Sequence, residues 1–218
     1  TSTYAYDALN RLTSISYPTS ALDIHYYYDQ ANATTGCASS YPIGRLTQMT
    51  DSSGSTTYCY DARSNVVNEA ITVSGLPGTV SYAWNPADRL MGVTYPAGGS
   101  TSYTRDADGR IASISWSGTP IVTAISYLPF GPATQYTFAS GAQVLTKSYD
   151  ANYRATEITG GAALNLHFTR DAMGNITAEG DAAGVPSPNE SYQYDPLYRL
   201  QQVNDATGAP WQSYTYDK

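Results

Sequence analysis

Aromatic and acidic residues recur along this 218-residue chain at a nearly constant interval. An acid or its substitute returns every 21 to 24 residues, with one step of 32, and aromatic residues often stand one and three positions before it. Residues two apart lie on one face of a β-strand, so the pattern predicts strands with an aromatic face. The acid positions are Asp7, Asp29, Asp61, Asn85, Asp106, Leu128, Asp150, Asp171, Asp195 and Asp217.

A second strand follows each acid after a short turn. In the first unit, Ala8, Leu9 and Asn10 separate Asp7 from Arg11, and apolar residues then alternate along the chain. Small residues, Asn and Gly are typical of tight turns between antiparallel strands. The sequence therefore predicts an all-β fold, in which a repeat array of antiparallel β-hairpins forms a β-sheet strip that coils because strands twist. We expect residues 1–218 to be a single run of about ten repeats.

The 32-residue step is about ten residues longer than the others. We interpret residues 30–43 as a surface loop inserted within one hairpin, because Gly44 and Arg45 restore the pattern. Cys59 lies between two residues of the aromatic columns and should point away from the aromatic face, where a loop carrying Cys37 would reach it. Two alternatives stay open: a disulfide between these cysteines, or two free thiols.

Composition narrows the classes of function. Eleven Lys and Arg against 18 Asp and Glu give a net charge of −7, which disfavours nucleic-acid binding. No apolar run approaches the roughly 20 residues that a membrane-spanning helix needs. Tyrosine contributes 21 residues, so we expect aromatic stacking between strands, and not a large aliphatic core, to stabilise the fold.

The candidate chemical groups favour a structural interpretation. A catalytic carboxylate pair is needed once, whereas these acids recur before every turn, where Asp accepts backbone hydrogen bonds. We expect the arginines four residues later to pair with those acids or with neighbouring tyrosines. His25 and His167 occupy one repeat position in different units, and the Cys/His spacing of a metal site is absent. The sequence thus predicts no catalytic residue, no cofactor, no metal and no enzymatic activity.

The stretch from Tyr4 to Leu12 and the stretch from Tyr192 to Leu200 resemble the YD repeat of the Rhs family, and the resemblance extends over essentially the whole chain. Ten registered copies make the signal specific, although Asn85 and Leu128 replace the acid. The repeat-motif residues that we single out are Tyr6, Asp7, Arg11, Tyr28, Asp29, Tyr60, Asp61, Arg89, Asp106, Arg110, Tyr149, Asp150, Arg154, Asp171, Tyr194, Asp195, Arg199, Tyr216 and Asp217.

The resemblance implies a hollow shell of the kind found in bacterial Rhs and toxin-complex proteins and, in related form, in teneurins. We expect a segment of a longer, exported bacterial protein, secreted or at the cell surface, because the sequence starts and stops within repeats. Its partner would be a toxin or cargo domain, and exposed strand edges would favour edge-to-edge self-association. The alternative is a carbohydrate- or cell-surface-binding module that uses exposed Tyr and Trp side chains such as Trp84, Trp116 and Trp211.

Overall fold

The computed structural model describes residues 1–139, 141, 143–180 and 189–217. It is all-β, with nineteen antiparallel strands among these residues, and the fold class predicted from the sequence is confirmed. The chain divides into two compact units. Unit 1 comprises Thr1–Arg110 and Ile114–Thr119, and unit 2 comprises Ile111–Ser113 and Pro120–Lys218. Strand β10 (Ile111–Trp116) contributes its first half to unit 2 and its second half to unit 1.

In unit 1, consecutive strands pair in chain order as a series of hairpins. A 3₁₀ helix (Ser20–Leu22) lies before the third strand, and a single helical turn, α1 (Asn32–Thr35), lies after it. The strands are β1 (Thr3–Tyr6), β2 (Leu12–Ser16), β3 (Ile24–Tyr28), β4 (Leu46–Asp51), β5 (Gly54–Tyr60), β6 (Val66–Val73), β7 (Leu76–Trp84), β8 (Leu90–Thr94) and β9 (Ser100–Arg105).

Unit 2 repeats the same organisation, with each strand paired to the next in the chain. Its strands are β11 (Thr119–Tyr127), β12 (Ala133–Phe138), β13 (Val144–Tyr149), β14 (Ala155–Gly160), β15 (Leu164–Arg170), β16 (Ile176–Gly180), β17 (Glu190–Tyr194), β18 (Leu200–Asn204) and β19 (Pro210–Ser213).

A β-bulge recurs at the same position of the repeat hairpins. In the first hairpin, Ala5 pairs with Ser14 whereas Tyr6 pairs with Leu12, so Thr13 is left as an extra residue. The same shift occurs immediately before the acid position of later repeats, for example between Cys59 and Tyr60. Bulges bend a strand and increase its twist, so these hairpins are bent next to the turn at the acid position.

The two faces of the sheet differ in composition within each unit. Alternation along β5 puts Tyr58 and Tyr60 on one side, which we call the tyrosine face, and Thr57 and Cys59 on the other. The register carries this division to neighbouring strands. On the tyrosine face lie Tyr26, Tyr28, Tyr58, Tyr60, Tyr82 and Trp84 in unit 1, and Tyr127, Tyr149, Tyr192 and Tyr194 in unit 2.

Few side chains are fully buried. Cys37, Cys59, Val93, Val122, Ala133 and Val203 are the buried apolar residues of the described part of the chain. In unit 1, Thr47 and Thr57 are buried as well. The sheet is therefore not organised around a large apolar centre, and hydrogen bonds and ring contacts between hairpins make a correspondingly larger contribution to its stability.

Candidate functional site

The acid positions close the turns of the repeat through their backbone. The Asp7 amide donates to the Arg11 carbonyl over 3.0 Å, and the Asn10 amide donates to the Asp7 carbonyl over 2.9 Å. The second bond requires Asn10 to adopt a left-handed conformation, with φ of 61°. The same two bonds recur in the turns that begin at Asp61, Asn85, Asp106, Leu128, Asp150, Asp171 and Asp195.

The aspartate side chain holds the turn from inside. At Asp150, Oδ1 accepts the amides of Asn152 and Arg154 at 2.9 and 3.0 Å, while Oδ2 accepts Arg154 Nε at 2.7 Å. One carboxylate thus satisfies three donors. The Nε bond from the arginine four residues later also forms in the turns of Asp7, Asp106 and Asp195.

Asparagine replaces arginine in two turns and makes the equivalent bond. Asn65 donates its side-chain amide to Asp61 Oδ2 at 3.0 Å, and Asn175 donates to Asp171 Oδ2 at 2.8 Å. Where Asn85 replaces the acid, its Oδ1 still accepts the backbone amide of Arg89 at 3.0 Å. These replacements keep the hydrogen bonds inside the turn and give up the ion pair between the acid position and the residue four positions later.

The same bonds shift the titration of the turn carboxylates. The backbone amide of Arg154, followed by its guanidinium, holds the pKa of Asp150 below its usual value. Amide and guanidinium of the following arginine lower the pKa of Asp7 and Asp195 in the same way. For Asp61 and Asp171, the main cause of the lowered pKa is the side-chain amide of Asn65 and Asn175.

The residue before each acid connects its hairpin to the previous one. Tyr149 Oη donates to the Ala133 carbonyl over 2.9 Å, and Ala133 lies five residues after the preceding acid position. We call this contact the inter-unit carbonyl bond, where the units joined are two successive repeats and not unit 1 and unit 2. It joins Tyr28 to Leu12, Tyr60 to Leu46, Trp84 to Val66, Arg105 to Leu90, Tyr127 to Ile111, Tyr149 to Ala133, Arg170 to Ala155, Tyr194 to Ile176 and Tyr216 to Leu200.

Arg105 and Arg170 interrupt the aromatic column but keep its function. Arg105 Nη2 reaches the Leu90 carbonyl at 2.6 Å, and its Nη1 donates to the Gly109 carbonyl at 2.9 Å. Arg170 makes the corresponding pair of bonds, the second of them to Gly174. Tyrosine, tryptophan and arginine share a donor at the end of a long side chain. The sequence did not predict this equivalence, because the acceptors are backbone carbonyls, which every residue carries.

Arginines of one repeat also contact tyrosines of the next. The Arg11 guanidinium carbon lies 4.3 Å from the centroid of the Tyr28 ring, and Arg11 Nη2 is 2.7 Å from Asp29 Oδ2. Arg199 lies 4.4 Å from the Tyr216 ring centre. Each such arginine is therefore held between a carboxylate and an aromatic face, an arrangement in which cation–π attraction adds to the ion pair.

The inserted segment leaves the hairpin closure in place. The Asp29 amide donates to the Arg45 carbonyl over 3.2 Å, although α1 and its flanking loops separate the two residues. Cys37 of this segment is joined to Cys59 of β5 by a disulfide. Ser40 Oγ accepts the Tyr60 amide at 2.8 Å, so the insertion covers the face of β5 opposite to the tyrosines.

Arg89, Arg110 and Asp217 are the repeat-motif residues whose positions have not yet been described. Arg110 pairs with Asp106 over 2.8 Å and with Asp108 over 2.9 Å. The Arg89 guanidinium lies directly against Gly109, in the space that a Cβ at that position would occupy. Asp217 is exposed near the end of the described chain.

Two features are absent from the described ranges. No group of three or more His, Cys, Asp or Glu side chains there has the arrangement of a metal site. No helix of these residues has the length and apolar character required to cross a membrane.

Comparison with known proteins agrees with this geometry. Residues 84–119 match the family model described as RHS Repeat, so the resemblance predicted from the sequence is confirmed and the chain carries an Rhs repeat. No curated protein matches the chain.

The fold is similar to those of solved toxin-complex proteins. For TcdB2-TccC3 without its hypervariable C-terminal region, the TM-score is 0.77 at 15% identity, over 94% of this chain and 12% of that one. For the Photorhabdus luminescens Tc holotoxin pore, the TM-score is 0.72 at 15% identity, over 94% of this chain and 12% of that chain. This chain thus spans a small part of the length of the proteins it resembles, and the likeness concerns the fold.

Proposed function

We propose that this chain is a structural segment of the wall of an Rhs-type shell that encloses a toxin or cargo domain. The observation that carries the proposal is the inter-unit carbonyl bond, which recurs from Tyr28 to Tyr216 and fastens every hairpin to the one before it. A wall needs such a contact at every step, whereas a catalytic or binding site needs one arrangement once. The fold shared with toxin-complex proteins supports the same interpretation.

In this proposal the protein is exported, acts outside the bacterial cell, and performs no catalytic step of its own. The run of about ten repeats over residues 1–218 forms one stretch of wall, and the insertion at residues 30–43 lies on its surface. The outermost strands β1 and β19 are exposed along their whole length, which favours edge-to-edge pairing with further strands of the same kind.

Protease protection of the cargo in the full-length protein tests the proposal. Replacing Tyr28, Tyr60, Tyr149 and Tyr194 together by Phe removes four inter-unit carbonyl bonds and should speed cleavage of the cargo. The control replaces Tyr27 and Tyr41, both exposed, by Phe and should leave cleavage unchanged. Cleavage of the cargo that is as fast in the unaltered protein as in the fourfold variant would contradict enclosure.

The exposed indoles support a second candidate, a carbohydrate- or cell-surface-binding module. Trp116 and Trp211 are 43% and 56% exposed and offer flat apolar surfaces to sugar rings. Trp84 is half-buried and donates to the Val66 carbonyl, so it serves the sheet instead. Binding on a glycan array that is lost in Trp116→Ala or Trp211→Ala would favour this alternative over the shell.

A further inference from the structure

A row of aromatic side chains begins beside one glutamate on the tyrosine face of unit 1. Tyr58 of β5 pairs directly with Glu69 of β6, and Tyr82 of β7 donates its hydroxyl to Glu69 Oε2 at 3.0 Å. Tyr95 follows β8, and its ring lies 5.6 Å from that of Trp116. With neighbouring strands about 4.8 Å apart, the step from β5 to β8 spans roughly 15 Å. We call these five residues the Glu69 cluster.

The Glu69 carboxylate has no cationic partner among the ion pairs of residues 1–139, 141, 143–180 and 189–217. Its hydrogen-bond partner there is a phenol, and burial together with this carboxylate raises the pKa of Tyr82. The pKa of Tyr58 is raised by burial and then by Glu69. The cluster is also open to solvent, since Glu69 itself is half-buried and Tyr95 and Trp116 are 38% and 43% exposed.

The repeats themselves show what complements such a cluster. Arg11 lies over the Tyr28 ring while its guanidinium pairs with Asp7 and Asp29, and Arg199 lies over Tyr216 while it pairs with Asp195. In each case a carboxylate and an aromatic ring hold one arginine. The Glu69 cluster supplies the carboxylate and several rings, and the arginine is the component that the described chain does not provide.

We propose that the Glu69 cluster binds an arginine side chain of an enclosed cargo polypeptide, with the guanidinium on Glu69 and its plane against the neighbouring rings. This inference rests on the proposed shell function, because it names what the tyrosine face would hold. Arginine fits better than lysine, since a planar guanidinium stacks on aromatic rings and forms two parallel bonds to a carboxylate.

Peptide binding to the full 218-residue chain tests the site without any cargo. The probe is a fluorescent peptide of repeated Gly-Ser-Arg triplets, and the matched probe replaces every arginine by citrulline, which has the same shape and no charge. We expect Glu69→Gln to weaken binding of the arginine peptide about fivefold, the size of one partly exposed ion pair. Tyr58→Leu should weaken it as well, through loss of the aromatic ring that pairs with Glu69 across β5 and β6.

Glu157→Gln is the matched control, because it removes the same charge in unit 2. Glu157 pairs with His167 and lies on the face opposite to the tyrosine face. It should change the affinity less than twofold. Equal binding of the arginine and citrulline peptides, or equal loss in the two glutamine variants, would overturn the proposal. Circular dichroism of each variant shows that the fold is retained. The shell function has a separate readout, since cargo protection is measured by protease and does not depend on this peptide.

Discussion

The hairpin that begins at Asp150 and the hairpin that begins at Asp29 differ greatly in length but close in the same way. Three residues separate Asp150 from Arg154, and the amide-to-carbonyl bond between them is 2.9 Å. A helical turn and the disulfide-bonded Cys37 lie between Asp29 and Arg45. The Asp29 amide nevertheless donates to the Arg45 carbonyl over 3.2 Å. The neighbouring strands therefore determine the closure, and the turn needs only to reach across.

The two hairpins differ in how the intervening residues are held. Asp150 binds the short turn through its own carboxylate, whereas Asp29 Oδ1 accepts the Gly44 amide and its Oδ2 pairs with Arg11 of the previous repeat. The long segment is held instead by its disulfide to β5 and by Ser40. Short turns thus rely on local hydrogen bonds, and the insertion relies on contacts with the adjacent strand.

Acid should have the largest effect, because it acts on both kinds of hairpin at once. The pKa values of Asp7, Asp29, Asp61, Asp150, Asp171 and Asp195 are lower in the folded chain than the ordinary 3.8. The folded state therefore binds fewer protons than the unfolded state, and stability present above about pH 4 is lost as pH falls through the folded values. Urea unfolding followed by circular dichroism between pH 7 and pH 2 measures this; a constant midpoint would contradict it.

Removing the disulfide tests the long hairpin alone. Cys37→Ser with Cys59→Ser should lower the free energy of unfolding by about 3 kcal/mol, the chain-entropy value for a loop closed across 22 residues. Urea unfolding with and without a thiol reductant gives the measurement. The reductant should destabilise the natural chain and leave the double variant unaffected, and equal sensitivity of the two would count against the bond.

Asp150 tests the short hairpin. Asp150→Ala removes the acceptor for two amides and for Arg154 Nε, whereas Asp150→Asn keeps an oxygen for the amides, as Asn85 does in its own turn. We expect the alanine variant to melt at a lower temperature than the asparagine variant. Equal melting temperatures of the two variants, both below that of the unaltered chain, would mean that charge, and not the backbone bonds, holds the turn.

The inter-unit carbonyl bond should contribute similarly in both kinds of hairpin. Tyr149→Phe and Tyr60→Phe each remove one hydroxyl that donates to a carbonyl, at 2.9 and 2.6 Å. Each should lower the free energy of unfolding by about 1 kcal/mol, the usual net value of such a bond. Tyr27→Phe is the control, since Tyr27 lies on the opposite face and is 40% exposed. A loss as large in the control would remove the special role of the tyrosine face.

The smallest effects concern the left-handed residue before the arginine position. Gly44 fills it in the long hairpin at φ of 81°, and Tyr198 fills it in a short one at φ of 61°. Gly44→Ala should cost about 1 kcal/mol because of its positive φ, and Tyr198→Gly should stabilise by about 0.5 kcal/mol. Thermal melts compare the two variants, and changes of the same sign would show that other contacts outweigh backbone strain.

Periodic residues made the strands and turns predictable. The Tyr columns before Asp61 and Asp195 and the Gly or Asn residues after the acids indicated hairpins, and the all-β fold is confirmed. The bulge beside Thr13 was not predicted, because it depends on how two strands pair and not on either strand alone. The roles of Arg105 and Arg170 were not predicted either, since the residue type does not show which carbonyl a side-chain donor reaches.

The amino-acid sequence by itself determined the repeat and the alternation of faces, because each depends on residue types a few positions apart. Only the tertiary structure decided that Cys37 bonds to Cys59, which carbonyl each tyrosine reaches, and that Glu69 faces Tyr58 and Tyr82. The physical reason is that a carbonyl acceptor is present in every residue and leaves no mark in the sequence. Its selection requires two hairpins to be brought side by side.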